Sequence, residues 1–234
     1  MKIKKQNKAI NHNSFVNLAS EKFGSIAYKT NDEFFAPLKR LLNDKDPIFI
    51  PDKYDNHGKW MDGWETRRRR EPGFDWCIIK LGCPGIISSV DIDTNFFTGN
   101  FPPFASLEAC FSDTPPLEGS SVWEEIISKK KLHGDESHNF ISSNKNIFNW
   151  VKLKIYPDGG VARLRLWGNV FNDWEKFSKV KNYELSSLYY GGKILSYNNA
   201  HYGDVSALLA KGRGKNMGDG WETRRRRSKG FDWL

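Results

Sequence analysis

The densest reactive chemistry in the sequence lies in residues 62–76, Asp-Gly-Trp-Glu-Thr-Arg-Arg-Arg-Arg-Glu-Pro-Gly-Phe-Asp-Trp. Asp62 and Glu65 are carboxylates that can exchange protons with a reacting group, and Arg67 or Arg69 can grip a planar anion in two-pronged fashion. His57 lies just upstream, in Asn56-His57-Gly58-Lys59-Trp60, and is the best placed of five histidines for acid/base work. Four consecutive arginines cannot all face one site, because strand neighbours point to opposite faces, so at most about two of them are functional. The competing reading is structural: charged residues around a buried tryptophan often form an ion-pair network, and residue types alone do not separate the two.

Other chemistries find less support. Cys77, Cys83 and Cys110 are an odd number without metal-ligand spacing, and they read as buried, reduced thiols of a cytoplasmic protein. His133-Gly-Asp-Glu-Ser-His138 has no zinc-like spacing and lies between polar stretches, which reads as a solvated loop. No Ser/His/Asp constellation or phosphate-cradling glycine loop is visible, and no metal or other cofactor is expected. Trp64, Trp76, Trp150 and Trp167 read as core residues.

The aromatic content of 14% is too high for a disordered chain, and 234 residues suffice for one large or two small domains. The net charge of +8 is local, because Arg67–Arg70 and Arg224–Arg227 together supply eight positive charges. A polyanion-binding surface spreads its charge over a face instead. The first residues, Met1 to Lys8, are basic but lead into polar sequence, so no secretory signal is read, and no run approaches the roughly 20 apolar residues of a membrane helix. Neither nucleic acid nor membrane is an expected partner.

The motif occurs twice. Residues 219–233 match residues 62–76 at 13 of 15 positions, an offset of 157 residues (Asp62 to Asp219). Upstream, Gly24-Ser25-Ile26 aligns with Gly192-Lys193-Ile194 at an offset of 168. That period is far above the range of solenoid repeats and implies a duplicated domain. The expected organisation is a first sandwich domain over 1–170, a linker over 171–182 with Trp174 and Phe177 pinning it to a domain surface, and a second copy over 183–234. That copy reads as truncated, with its apolar surface left to promote association.

The elements that must hold these residues read as mostly β. Trp76–Leu81 is an apolar strand closed by Gly82, and Val90–Thr94 and Ser106–Phe111 alternate as half-buried strands do. Residues 151–167 alternate on both sides of Pro157-Asp158-Gly159-Gly160, which predicts a hairpin with one wet face. The one helix signal runs from Asp32 to Leu42, with Pro37 in its first turn. Many short strands with Gly/Pro turns predict an all-β antiparallel sandwich.

Three segments resemble the allantoicase family, in the right order: Asp62–Thr66 with Gly73–Trp76, Asp91–Asn100, and Tyr156–Gly168. The resemblance covers essentially the whole chain. It implies jelly-roll sandwiches similar to galactose-binding domains, and hydrolysis of allantoate to ureidoglycolate and urea in purine breakdown. Such a substrate needs a general acid for the departing ureido group, a base for the incoming water, a cationic clamp for its carboxylate and amide partners. On that basis Glu65, Asp62 and His57 are the candidate catalytic groups, with Arg67, Arg69, Asp93, Thr94 and Asn100 as candidate substrate contacts. The implied partner is allantoate, with association into a homo-oligomer also open. The alternatives are a non-catalytic jelly-roll binding module and a basic nucleic-acid or nuclear-import protein. A chain truncated in its second copy is expected to have little turnover on its own.

Overall fold

A computed structural model of the chain describes residues 15–177, 182–214, 216–226 and 229–234, and the backbone of Lys2 and Ile3. His12, the Phe177 side chain and Arg227 lie outside the described residues. In chain order the strands begin with β1 (Lys2–Ile3), β2 (Val16–Asn17), β3 (Ile26–Thr30), β4 (Ile48–Phe49), β5 (Tyr54–Asp55), β6 (Gly58–Lys59) and β7 (Trp64–Glu65). There follow β8 (Asp75–Asp93), β9 (Phe104–Cys110), β10 (Glu124–Lys131), β11 (Ser137–Ile141), β12 (Phe148–Tyr156), β13 (Gly160–Val161) and β14 (Arg163–Val170).

The nineteen-residue β8 organises the fold. Its first part pairs antiparallel with β12 on one side and β3 on the other. Its last part pairs antiparallel with β14 and β11. β9 and β10 extend the first layer beyond β12, and β2 extends the second beyond β14. Between the layers lie Cys77, Ile79, Val90 and Ile92 of β8, with Leu107, Val151, Leu153, Leu164 and Leu166 from the strands around it. This is an antiparallel sandwich, as the alternation predicts, of the jelly-roll kind that the family resemblance implies.

Several local expectations are corrected. Gly82 does not close a strand. It lies where β8 passes from one layer to the other, and a Cβ there would sit 2.1 Å from the carbonyl oxygen of Phe23. Residues 151–167 are not a hairpin, because β12 and β14 each pair with β8 instead of with one another. Their polar faces are not wet. Lys152 is buried under the 111–123 segment, where it meets Glu108 at 2.6 Å and the carbonyl of Glu118 at 2.7 Å. The helix over Asp32–Leu42 reduces to a 3₁₀ turn at Leu38–Leu42. Upstream of it, Asp32 and Glu33 spend their carboxylates on the backbone N–H groups of Arg67 and Leu38, and Ala36 bridges to Glu65. Trp174, expected to pin the linker to a domain surface, stacks on Tyr190 of the second copy, which does not go against that expectation. The 168-residue offset is also revised: the turn Ser20–Gly24 and the turn Ser187–Gly191 have the same serine cap and left-handed glycine, an offset of 167 (Gly24 to Gly191).

All three cysteines are free and buried. Burial pushes their thiols up, Cys83 to about 12 and Cys110 to about 11, and Cys77 higher still.

Two buried ionic groups sit on the second layer. Arg163 is fully buried, with Nη2 2.6 Å from Asp62 Oδ2. Its other N–H groups donate to the carbonyls of Lys45 (2.9 Å), Arg40 (3.3 Å), Asp62 (2.8 Å) and Ala162 (2.7 Å). Asp93, also fully buried, is pushed up to about 6 by burial, with the neighbouring Asp91 adding to the rise; the Asn95 N–H groups and Arg165 oppose it.

Replacing Arg163 by Met should cost about 3–5 kcal/mol, because it leaves a buried carboxylate and several carbonyls unpaired. Urea denaturation checks this, and a loss below about 1 kcal/mol would sink the account. Asp93 gives a signed pH dependence. Its folded value lies above its ordinary 3.8, so its contribution is fully present below that value and is lost as pH rises through about 6. Asp93→Asn keeps the acceptor for Asn95 and removes the titration. Across that window the wild type should lose on the order of 3 kcal/mol relative to Asp93→Asn in denaturation midpoints; parallel curves would refute it.

Candidate active site

A cleft of about 600 Å3 opens beside β7, with Glu65, Asn100 and His57 in its wall. Lys59, Met61, Phe49, Phe96 and Asp135 complete most of the lining. Glu65 is placed by backbone pairing on two sides, with Ala36 and with Gly160. Its side chain is nearly buried, and Oε1 accepts the amide N–H of Asn100 at 2.7 Å. Burial raises the Glu65 carboxyl above its ordinary value, and the Asn100 hydrogen bond opposes the rise. A carboxyl so placed keeps its proton to a higher pH than an exposed glutamate, as a general acid requires.

Asn100 reaches Glu65 from the loop that follows β8. Asp93 starts the loop by accepting both N–H groups of Asn95, at 2.7 and 2.6 Å. Thr94 Oγ1 ties it to the carbonyls of His133 and Glu136. Phe96 takes a φ of +70°, a region that a bulky residue rarely adopts, and is held there by its N–H to Asp135 Oδ1 at 2.9 Å. The loop closes as Gly160 donates to the Asn100 carbonyl at 2.7 Å. A Cβ on Gly160 would lie 2.0 Å from the Phe97 ring, so only glycine fits.

The structure therefore brings Glu65, Asn100 and His57 to one cleft. Asp62, Arg69, Asp93 and Thr94 are not among its lining residues. Asp62 is held by Arg163 and by the N–H of Ile48 at 3.0 Å. Arg69 pairs with Asp75 at 2.8 Å. Arg67 is not a lining residue either; it is largely exposed, paired with Asp32 at 3.0 Å and over the Phe34 ring on which His57 stacks. The lining residues that sequence reasoning passed over are Lys59, Met61, Phe49, Phe96 and Asp135. Lys59 lies two residues beyond His57, across the tight turn that joins β5 to β6. The His133–His138 stretch is a turn with His133 and Glu136 exposed, as expected, except at its end: His138 lies in β11, accepts the His133 N–H at 2.8 Å, and its pKa is lowered by burial. Among the described residues no cluster of three or more His, Cys, Asp or Glu side chains could hold a metal ion, and no helix is long and apolar enough to cross a membrane.

The duplicated motif is mostly a scaffold. In the first copy Trp64 Nε1 donates to the Asp32 carbonyl, the Trp76 N–H donates to Asn31 Oδ1, and Arg69 and Asn31 share Asp75. In the second, Trp221 donates to the Asn199 carbonyl, the Trp233 N–H to Asn198 Oδ1, and Arg226 and Asn198 share Asp232. Glu222 bridges to Tyr202 as Glu65 does to Ala36.

Comparison with known proteins agrees with this duplication. The family model described as the allantoicase repeat matches residues 16–171 and again 183–234. A probable allantoicase 1 of Burkholderia mallei is 49% identical over 219 residues, covering 94% of this chain and 65% of that protein. A probable allantoicase of Acinetobacter baumannii is 49% identical over 221 residues, with the same coverage. Among solved structures, one described as allantoicase superposes with a TM-score of 0.82 at 37% identity, covering 94% of this chain and 67% of that one. The allantoicase of Saccharomyces cerevisiae gives 0.81 at 38% identity, covering 92% and 65%. The chain thus spans about 65% of the length of the curated relatives it matches. With both of its copies matched to the repeat and its sandwich superposed on solved members, this chain belongs to the allantoicase family.

Proposed function

We propose that the cleft binds allantoate and that the protein hydrolyses it to ureidoglycolate and urea. The observation that carries this reading is Glu65, a carboxyl raised by burial, oriented by Asn100, in a cleft that also holds His57. In this reading residues 1–170 form the repeat that carries the cleft, 171–182 the linker, and 183–234 belong to the second repeat. Three buried free thiols suit a reducing compartment, which supports reading the protein as cytoplasmic.

Allantoate carries a carboxylate and two ureido groups on one central carbon. Glu65 gives its proton to the ureido nitrogen as the C–N bond breaks, and urea leaves. His57 takes a proton from the water whose oxygen bonds to the central carbon, and that proton restores Glu65 at the end of the cycle. Asn100 occupies Oε1 of Glu65, which leaves Oε2 for the substrate. Asp62, first a candidate for proton transfer, serves instead to hold Arg163 and the cleft wall. Arg69, Asp93 and Thr94 act on the substrate only through the loops they hold, and Arg67, outside the lining, only through the Phe34 ring that it shares with His57.

Urea release from allantoate, measured for this chain and for a form extended to the length of its relatives, tests the reading; no urea from either would end it. Glu65→Gln should lower kcat by about 10²- to 10⁴-fold without loss of fold. The protonated carboxyl is the working form, so activity should fall as pH rises through a value above the ordinary glutamate range. Asn100 favours the charged form of Glu65, so Asn100→Ala should move that alkaline limb to higher pH. A limb that stays in place shows that Glu65 is not the group titrating.

A further inference from the structure

We propose that Lys59 holds the carboxylate of the substrate; this rests on the allantoate reading of the cleft. An anion entering a cleft lined by Glu65 and Asp135 needs a compensating cation. Lys59 is the one lysine or arginine among the described lining residues. The arginines that the motif offers for this task are committed elsewhere, Arg67 to Asp32 and Arg69 to Asp75.

Lys59 is not committed in that way. Among the described residues no carboxylate lies within ion-pair distance of its ammonium. Its Nζ rests over the rings of Phe49, at 5.1 Å, and Tyr54, at 4.9 Å, and donates to the Pro51 carbonyl. An ammonium has three N–H donors, so two remain for a ligand. The rings and the carbonyl hold the charge in place without neutralising it. The sequence adds an independent observation. With a one-residue gap at Gly218, Gly58-Lys59-Trp60-Met61 aligns with Gly214-Lys215-Asn216-Met217 ahead of the second Asp-Gly-Trp-Glu-Thr. In the first copy, neither Lys59 nor Met61 contributes a side chain to the hydrogen-bonded scaffold of the motif, yet both line the cleft. The shared lysine therefore calls for a reason other than that scaffold.

The test uses calorimetric titration of this chain with two probes: allantoate, and methylenediurea, which carries the same two ureido groups on one carbon and no carboxylate. Lys59→Met keeps the aliphatic stem and removes the charge; Lys59→Arg keeps the charge. Lys59→Met should weaken allantoate about tenfold or more and leave methylenediurea within about twofold. Lys59→Arg should stay within about threefold of the wild type for both. Allantoate binding untouched by Lys59→Met overturns the assignment, and so does an equal loss of both probes, which would mean that Lys59 only shapes the cleft. Binding of neither probe to the wild type overturns the reading of the cleft itself, and the assignment with it.

Discussion

The cleft depends on a charge that never sees water. Arg163 projects from β14 into the segment of residues 40–62, where one carboxylate and three carbonyls take up its N–H groups. That segment has little regular structure of its own: β4, β5 and β6 are two residues each. Such a stretch cannot satisfy its own backbone groups or fix its own course. The guanidinium ties the segment down at Arg40, Lys45 and Asp62, and the residues between carry Phe49, His57, Lys59 and Met61 to the cleft. Removing the cation alone is costly because Asp62 would stay buried without it, which is why a pair of this kind specifies geometry more than it adds stability.

The motif that first drew attention divides between two tasks. Its tryptophans, Arg69 and Asp75 form a hydrogen-bonded staple that recurs with equivalent atoms in the second copy, through Trp221, Trp233, Arg226 and Asp232. Near identity between copies therefore reflects geometry that both copies must satisfy. Glu65 belongs to both tasks. Its backbone closes the staple while its side chain faces the cleft, and its counterpart Glu222 keeps the backbone role.

What was legible in the sequence follows from range. Alternation over a few residues announces strands, and the sandwich was readable from it. The failures all come from partners far along the chain. Gly82 looks like a stop until Phe23 and the layer crossing are known. Arg163 and Arg165 look solvated until residues 40–62 cover them. The Asp32–Leu42 stretch has helical spacing, but Asp32, Glu33 and Ala36 spend their polar groups on other partners. At the site, Glu65, Asn100 and His57 were singled out because their types suit the chemistry, and the structure brings the three to one cleft. Arg67 and Arg69 suit it equally well by type, and only the structure shows that they pair with Asp32 and with Asp75, the latter within the motif itself.

The three cysteines carry an experimental consequence. Thiolate is the reactive form, and burial leaves almost none at neutral pH, so the folded chain should be silent toward alkylating reagents. Cys77 and Cys83 lie on β8 and Cys110 ends β9, so each thiol reports on a different stretch of the first layer and its crossing. Labelling rates at the three positions would read out local opening of the sandwich directly, with no introduced probe and no change to the cleft.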